Sequence, residues 1–413
     1  MLIDLADGSI ETSGGKAAPL AMLLRAGLPV PPGFIVPICA YQQAVAGVAG
    51  AGAGVQGADL ARQVIEQAQL APELVDEIRE ALSRIVAPHS EGYVAVRSSA
   101  STEDGSQATA AGQHDTFLAV RGADQVVDRV RRCWASIWSE RAVVYRQHRQ
   151  HRPDDGPPST AVLVQRMVDA DVAGVMFTGT ATRIEASWGL GESVVAGRVT
   201  PDTWAVVGTA IVDRSVGAKV HRTDRVGSQL VTRTVPAADR NQPCLSDQDV
   251  LDLDRAGLVI ERLLGCPQDV EWAIADGHLW ILQARPITAE IPSTPRQPSD
   301  AAVAVTDLTG TPASKGLATG PVRLVHGPRD FPRVKPGDIL VCRTTDPAWT
   351  ALFGVVAAVV TETGGLLSHA AIVAREQGVP AVLAVPRATT ALPEGALVTV
   401  DGSSGRIVLL ATE

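Results

Sequence analysis

TETGGLLSHAAIVAREQGVPAV, residues 361–382, is the stretch from which the rest of the chain is read. The apolar run Val355–Val360 (VVAAVV) reads as a buried strand and leads into Thr363, Gly364 and Gly365. A helix is predicted to begin around Ser368 and His369. Glycines ahead of a helix let backbone amides approach an anion, and the positive end of the helix favours a phosphoryl group there. Imidazole is substantially neutral near pH 7, so His369 in that position can act as a nucleophile toward phosphorus. A Ser–His pair that merely caps the helix, with a satisfied imidazole, is the plainer alternative.

Upstream of this stretch, GTPASKGLATGPVRLV (310–325) and GDILVCRTTDPAWT (337–350) complete a small unit of strands with Gly-rich turns. It is preceded by TAEIPSTPRQPSDAAVAVTDLT (288–309), rich in Pro, Ser, Thr and Ala and without periodicity, which reads as a flexible linker. The division is therefore 1–289, a linker at 290–309, and 310–413. In the large N-terminal region, Ala17–Ala26 is predicted helical and is closed by LPVPPGF. Ala46–Ala58 reads as a low-complexity loop and Leu60–Val86 as helical. GYVAVRSS, TAVLVQRMV, WAVV and LWILQARPI read as short buried strands. The fold class is α/β and α+β.

A net charge of -9 with acids and bases interspersed offers no basic face, so nucleic acid is not an expected partner. The longest apolar run, Ala348–Val360, falls short of the roughly 20 residues that cross a bilayer, and the N-terminus does not read as a secretory signal; no membrane is expected. Five scattered cysteines without a CxxC pair fit neither a disulfide framework nor a thiolate zinc site, and point to the cytoplasm.

Residues 310–410, with TxGGxxSHAA intact at Thr363, Gly364, Gly365, Ser368, His369, Ala370 and Ala371, resemble the swivelling β/β/α phosphohistidine domain of the phosphoenolpyruvate-utilising enzymes. GGKAAPLAMLLRAGLPVPPGF (14–34), YVAVRSSASTEDGSQATAAGQHDT (93–116), VLVQRMVDADVAGVMFT (162–178), ASWGLGESVVAGRVTPD (186–202) and QDVEWAIADGHLWILQARPIT (268–288) resemble, in order, the ATP-grasp nucleotide-binding domain of the same family, which includes pyruvate phosphate dikinase, phosphoenolpyruvate synthase and rifampin phosphotransferase. The resemblance implies ATP and Mg2+ as cofactors and His369 as the phosphorylated residue. It makes Lys16 and Arg97 ligands of the ATP phosphates, suited to a point-charge ammonium and a forked guanidinium. It puts Gly112 and Thr116 in a loop over the phosphates and Gln165 at the adenine end. Glu271 and Gln283, on two strands joined by the turn ADGH, become oxygen ligands for Mg2+, and Arg285 a clamp on the transferring group. Read without the resemblance, Lys16 is a solvated lysine, Arg97 a surface ion pair, Gln165 a sheet-edge residue and Glu271 half of a structural Glu–Arg pair.

The segment between Thr178 and Ala186 is shorter than the family pattern, with Gly179-Thr180 where Asn-Pro is common. Neither the phosphoenolpyruvate-binding barrel nor the helical antibiotic-binding domain of the longer family members is expected here. The phosphoryl acceptor is therefore an unidentified small molecule, bound between the domains or on a separate acceptor-binding subunit. An ATP-dependent ligase, or a non-catalytic phosphocarrier or regulator, would use the same two domains.

Overall fold

The computed structural model describes residues 1–46, 55–86, 92–100, 115–139, 142–143, 158–287, 307–346 and 349–410. They form two compact units: Met1–Asp171 with Thr223–Thr232 and Leu253–Pro286, and Val172–Arg222 with Arg233–Asp252 and Ile287–Glu413.

The first unit is built on a five-stranded antiparallel sheet, in the order Ile3–Asp4, Gly33–Val36, Thr160–Arg166, Tyr93–Ala100 and Thr116–Arg121. Val94, Val96, Val162 and Val164 pack with Trp134, Tyr41, Ile65 and Ile78 from the helices Ala123–Ser136, Ile38–Ala44, Val55–Gln67 and Pro72–Ile85. Tyr41 and Trp134 meet edge-on, 6.0 Å between ring centres, a favoured aromatic geometry. Because side chains alternate along a strand, the valines on this face send Arg97, Ser99 and Gln165 to the other one. That alternation puts these polar side chains on one face.

Helix formation begins earlier than predicted: Ile10–Arg25 is helical, capped by Ser9, with an interruption at Gly14, whose φ is 74°. Pro19, within this helix, does not break it. The predicted loop at 46–58 lies outside the described residues up to 54, and its last residues belong to the helix Val55–Gln67. The antiparallel hairpin of Gln268–Ala275 and His278–Pro286 completes the elements used below.

The second unit contains an antiparallel meander of Val172–Phe177, Thr182–Trp188, Asp202–Val207 and Ala210–Ser215. Its C-terminal part is a mixed eight-stranded sheet: Asp307–Thr309, Arg406–Leu409, Leu397–Asp401, Leu317–Leu324, Ile339–Cys342, Ala358–Thr361, Ala381–Leu383 and Thr311–Ser314. The four strands from Leu317–Leu324 to Ala381–Leu383 are parallel. Ile339 and Val341 are buried on one face, Leu340 and Cys342 on the other, which is why this strand reads as an unbroken apolar run. Of the stretch read as a linker, 288–306 lies outside the described residues, while Asp307–Thr309 pairs with Arg406–Leu409.

Candidate active site

Arg97 is the centre of the first cluster. It lies on a strand buried along its whole length and is 9% exposed. Nη1 donates to the Leu282 carbonyl at 2.7 Å; Nη2 donates to Gln283 Oε1 at 2.6 Å and meets Glu271 Oε2 at 3.3 Å. The hairpin makes this possible. Glu271 pairs with Gln283, but the next pair is Trp272 with Ile281, so Leu282 is passed over in a bulge and its carbonyl is turned to the arginine. The predicted hairpin that brings Glu271 and Gln283 to one face is present.

One step along the same hairpin face, Arg285 stands opposite Asp269, and its Nε and Nη2 both lie 2.8 Å from Asp269 Oδ2. Asp269 was not singled out from the sequence. Its place two residues before Glu271, hence on the same face, was the signal that could have found it.

Lys16, 8% exposed, follows the Gly14 interruption. Ser99 Oγ accepts the N–H groups of Lys16 at 3.1 Å and Ala17 at 3.2 Å, and donates to the Ser13 carbonyl at 2.6 Å. One hydroxyl thus fastens the Lys16 backbone to the strand that carries Arg97. A Cβ on Gly14 would come within 2.1 Å of the Ser99 carbonyl, so both the close approach and the positive φ require glycine. Ser99 is a second residue the sequence reading passed over.

Gln165 is 3% exposed and pairs across the sheet with Gly33 and Ala95; its Nε2 donates to the Pro31 carbonyl at 3.1 Å. Thr116 is exposed and opposite Arg97 in the register. Gly112 lies outside the described residues.

In the second unit His369 is the first residue of the helix His369–Gln377, is 5% exposed, and follows Ser368 as N-cap, as predicted. Gly378, at φ 67°, closes the helix in the left-handed conformation usual after a C-terminus. The preceding loop is tied down by Thr361 Oγ1 to the Thr363 carbonyl (2.6 Å) and by Ser368 Oγ to the Gly365 carbonyl (2.8 Å). Thr363 Oγ1 also donates to the Gly197 carbonyl at 2.7 Å, and Gly364 N–H to the Val199 carbonyl at 3.2 Å. Gly364 has φ 116°, a backbone that side chains resist. Leu367 and Ile372 pack with Val175, Phe177, Val194 and Val199.

As a metal site, Glu271 and Gln283 offer two hard oxygens on opposed strands, which fits Mg2+ only where phosphate oxygens and water complete the shell. Among the described residues no group of three or more His, Cys, Asp and Glu side chains is arranged to hold a metal by itself. Among the described residues no helix is long and apolar enough to cross a membrane.

The first unit thus gathers a buried arginine with paired side-chain oxygens on a hairpin, and the second presents a histidine at a helix N-terminus behind a glycine loop. Residues 10–303 match the pyruvate phosphate dikinase AMP/ATP-binding domain, and residues 334–405 match the mobile domain of the PEP-utilising enzymes. The chain belongs to this dikinase family. Relatives include a probable phosphoenolpyruvate synthase of Methanothermobacter thermautotrophicus, 37% identical over 98% of this chain and 62% of the relative. One of Archaeoglobus fulgidus is 38% identical over 98% of this chain and 57% of its own length. The phosphoenolpyruvate synthase of Pyrococcus furiosus is 35% identical over 98% of this chain and 58% of its own. The chain spans 57% to 62% of the length of these relatives.

Proposed function

We propose that the chain catalyses ATP-dependent phosphorylation of its own His369 and passes the phosphoryl group to a small-molecule acceptor. In net terms ATP and water are consumed, one phosphoryl group stays on the imidazole, and AMP and inorganic phosphate leave. The observation that carries this reading is the convergence of Arg97, Glu271 and Gln283 in a chain that also presents His369 at the start of a helix behind a glycine loop.

In this reading Lys16, Arg97 and Arg285 hold the phosphates, with Thr116 and Gly112 over them and Gln165 toward the base. Glu271 and Gln283 are the protein ligands for Mg2+, which would neutralise phosphate charge and orient the leaving oxygens. Arg97 now donates to the Leu282 carbonyl and to Gln283 and Glu271; with Mg2+ on those two side chains its Nη2 would turn to the phosphates while Nη1 stays held by the Leu282 carbonyl. Thr363, Gly364, Gly365 and Ser368 shape the loop in which the phosphorylated imidazole sits, and the helix N-terminus favours its charge. In this reading the stretch ahead of Asp307 joins the domains, while Asp307–Thr309, read from the sequence as the end of the linker, belongs to the C-terminal sheet.

The relatives' name points to phosphoenolpyruvate as the product of the longer proteins. The ATP-to-histidine half of such a reaction is the share this chain would supply, with the acceptor bound by the chain or by a separate subunit. The test is incubation with Mg2+ and ATP labelled separately at the β and γ positions. Acid-labile β label on the wild type and none on His369→Ala, with AMP accumulating, is the expected result. Label that persists in His369→Ala, or its absence from the wild type, sinks the proposal.

A further inference from the structure

Glu185 sits in the middle of the strand Thr182–Trp188, is 3% exposed, and belongs to none of the groups assigned above. Its Oε1 accepts the Leu366 N–H at 2.6 Å and its Oε2 the Leu367 N–H at 3.2 Å. These amides lie immediately before the helix that His369 begins. Ser368 gives that helix no side-chain cap, its hydroxyl being turned back to the Gly365 carbonyl, so the group that ties down the loop ahead of the helix is the Glu185 carboxyl. The approach is possible only because residue 365 is glycine: a Cβ there would lie 2.2 Å from Glu185 Oε2. From the helix side, Arg375 Nη1 donates to the Leu366 carbonyl at 2.8 Å, so Leu366 is gripped through both its N–H and its C=O. The charged neighbours are Arg183 on the same strand and Arg375 on the helix; Asp213 lines the adjoining cavity of about 290 Å³, together with Arg183, Trp204, Gly364 and Gly365.

We propose that Glu185 is a positioning residue that latches the histidine loop onto the strand Thr182–Trp188, and that added negative charge at this seat, on Glu185 itself or as a phosphoryl group on His369, loosens the latch. The second half rests on the reading of His369 as the phosphate carrier.

Burial outweighs the two N–H donors and the two arginines, and pushes the Glu185 carboxyl up from 4.5 to about 7. When the loop lifts off, the carboxyl is solvated and returns to the ordinary range. The latched form therefore binds more protons than the released form between about pH 4.5 and 7. By linkage, latching is favoured at the acid end of that window, weakens as pH rises through it, and is weakest once Glu185 is fully ionised. A phosphoryl group on His369, two residues beyond Leu367, adds charge of the same sign.

The experiment is hydrogen exchange across residues 363–370, corrected for intrinsic rates, at about pH 6 and about pH 8.5. Linkage with these two pKa values predicts about a tenfold loss of protection in the wild type and none in Glu185→Gln. A flat wild type, or a tenfold change kept by Glu185→Gln, overturns the latch. Should Glu185→Gln not fold, Gly365→Ala serves, because its methyl displaces the carboxylate: low protection at both pH values supports the latch, and wild-type protection overturns it. Incubation with Mg2+ and ATP tests the second half at about pH 6. Labelled wild type should exchange faster than His369→Ala treated alike, and equal exchange in labelled protein overturns that half. Absence of label instead counts against the His369 reading, while the pH comparison still decides the latch.

Discussion

Replacing Arg97 with lysine keeps the charge and removes the fork. The guanidinium serves three acceptors in different directions, the Leu282 carbonyl, Gln283 Oε1 and Glu271 Oε2. An ammonium on a flexible stem can satisfy one of them well. The Leu282 carbonyl and Gln283 amide are then left short of a donor in a largely buried setting, at about 1–2 kcal/mol each. Glu271, 24% exposed for its side chain, is the acceptor the ammonium can keep, a screened pair worth less than about 1 kcal/mol. The sum, about 2–4 kcal/mol, should appear as a lower denaturation midpoint of the first unit with an unchanged slope. The effect on chemistry should be larger in kind. Loss of a preorganised donor to a transferring phosphoryl group costs on the order of 100- to 1000-fold in rate, so labelling of His369 under saturating ATP should fall by that amount. Rapid-quench labelling and denaturant unfolding of the same preparation separate the two effects. Labelling at the wild-type rate would refute the assignment of Arg97 to the phosphates, whatever the stability change.

Three further outcomes follow from the packing. Lys219 and Asp202 form a fully buried ion pair in which Lys219 Nζ also donates to the Gly217 and Arg240 carbonyls and Asp202 accepts the Gly217 and Cys244 N–H groups. Lys219→Met should therefore destabilise by about 3–5 kcal/mol by stranding a buried carboxylate, with Lys219→Met/Asp202→Asn recovering part of it; a loss under about 1 kcal/mol in denaturant titration would contradict this. Gly14→Ala should cost more than about 2 kcal/mol and raise the ATP concentration needed for half-maximal labelling, since it forces apart the Lys16 backbone and Ser99; unchanged values in both assays would show that the junction yields. Of the free cysteines, Cys39 is exposed, whereas Cys133, Cys244 and Cys342 are buried and burial raises the thiol pKa of Cys244 and Cys342. A thiol reagent near pH 8 should modify Cys39 first and those three only on unfolding, as peptide mapping would reveal.

Much of this protein was legible before folding was considered. The run Val355–Val360, the glycines after it and the N-cap Ser368 are local signals, governed by residues a few positions apart, and they indicated the loop and the histidine at the helix start; the strand itself is Ala358–Thr361, the first three residues of the apolar run lying in the turn that precedes it. The hairpin over ADGH was likewise short-range, so the opposition of Glu271 and Gln283 could be foreseen. The helix at Ile10–Arg25 was read too short because Gly-Gly suggested a boundary. The Ser99 hydroxyl, 83 positions from Lys16, supports the backbone just past the interruption. Glu185 could not have been found at all. In the sequence it is one acidic residue in a strand, and only the meeting of that strand with amides 181 and 182 positions away makes it the acceptor that holds the histidine loop. The sequence determines residue chemistry and local periodicity through contacts within a turn or a hairpin. Which carboxylate meets which amide, and which arginine is held by which oxygens, depends on long-range packing that no local pattern encodes.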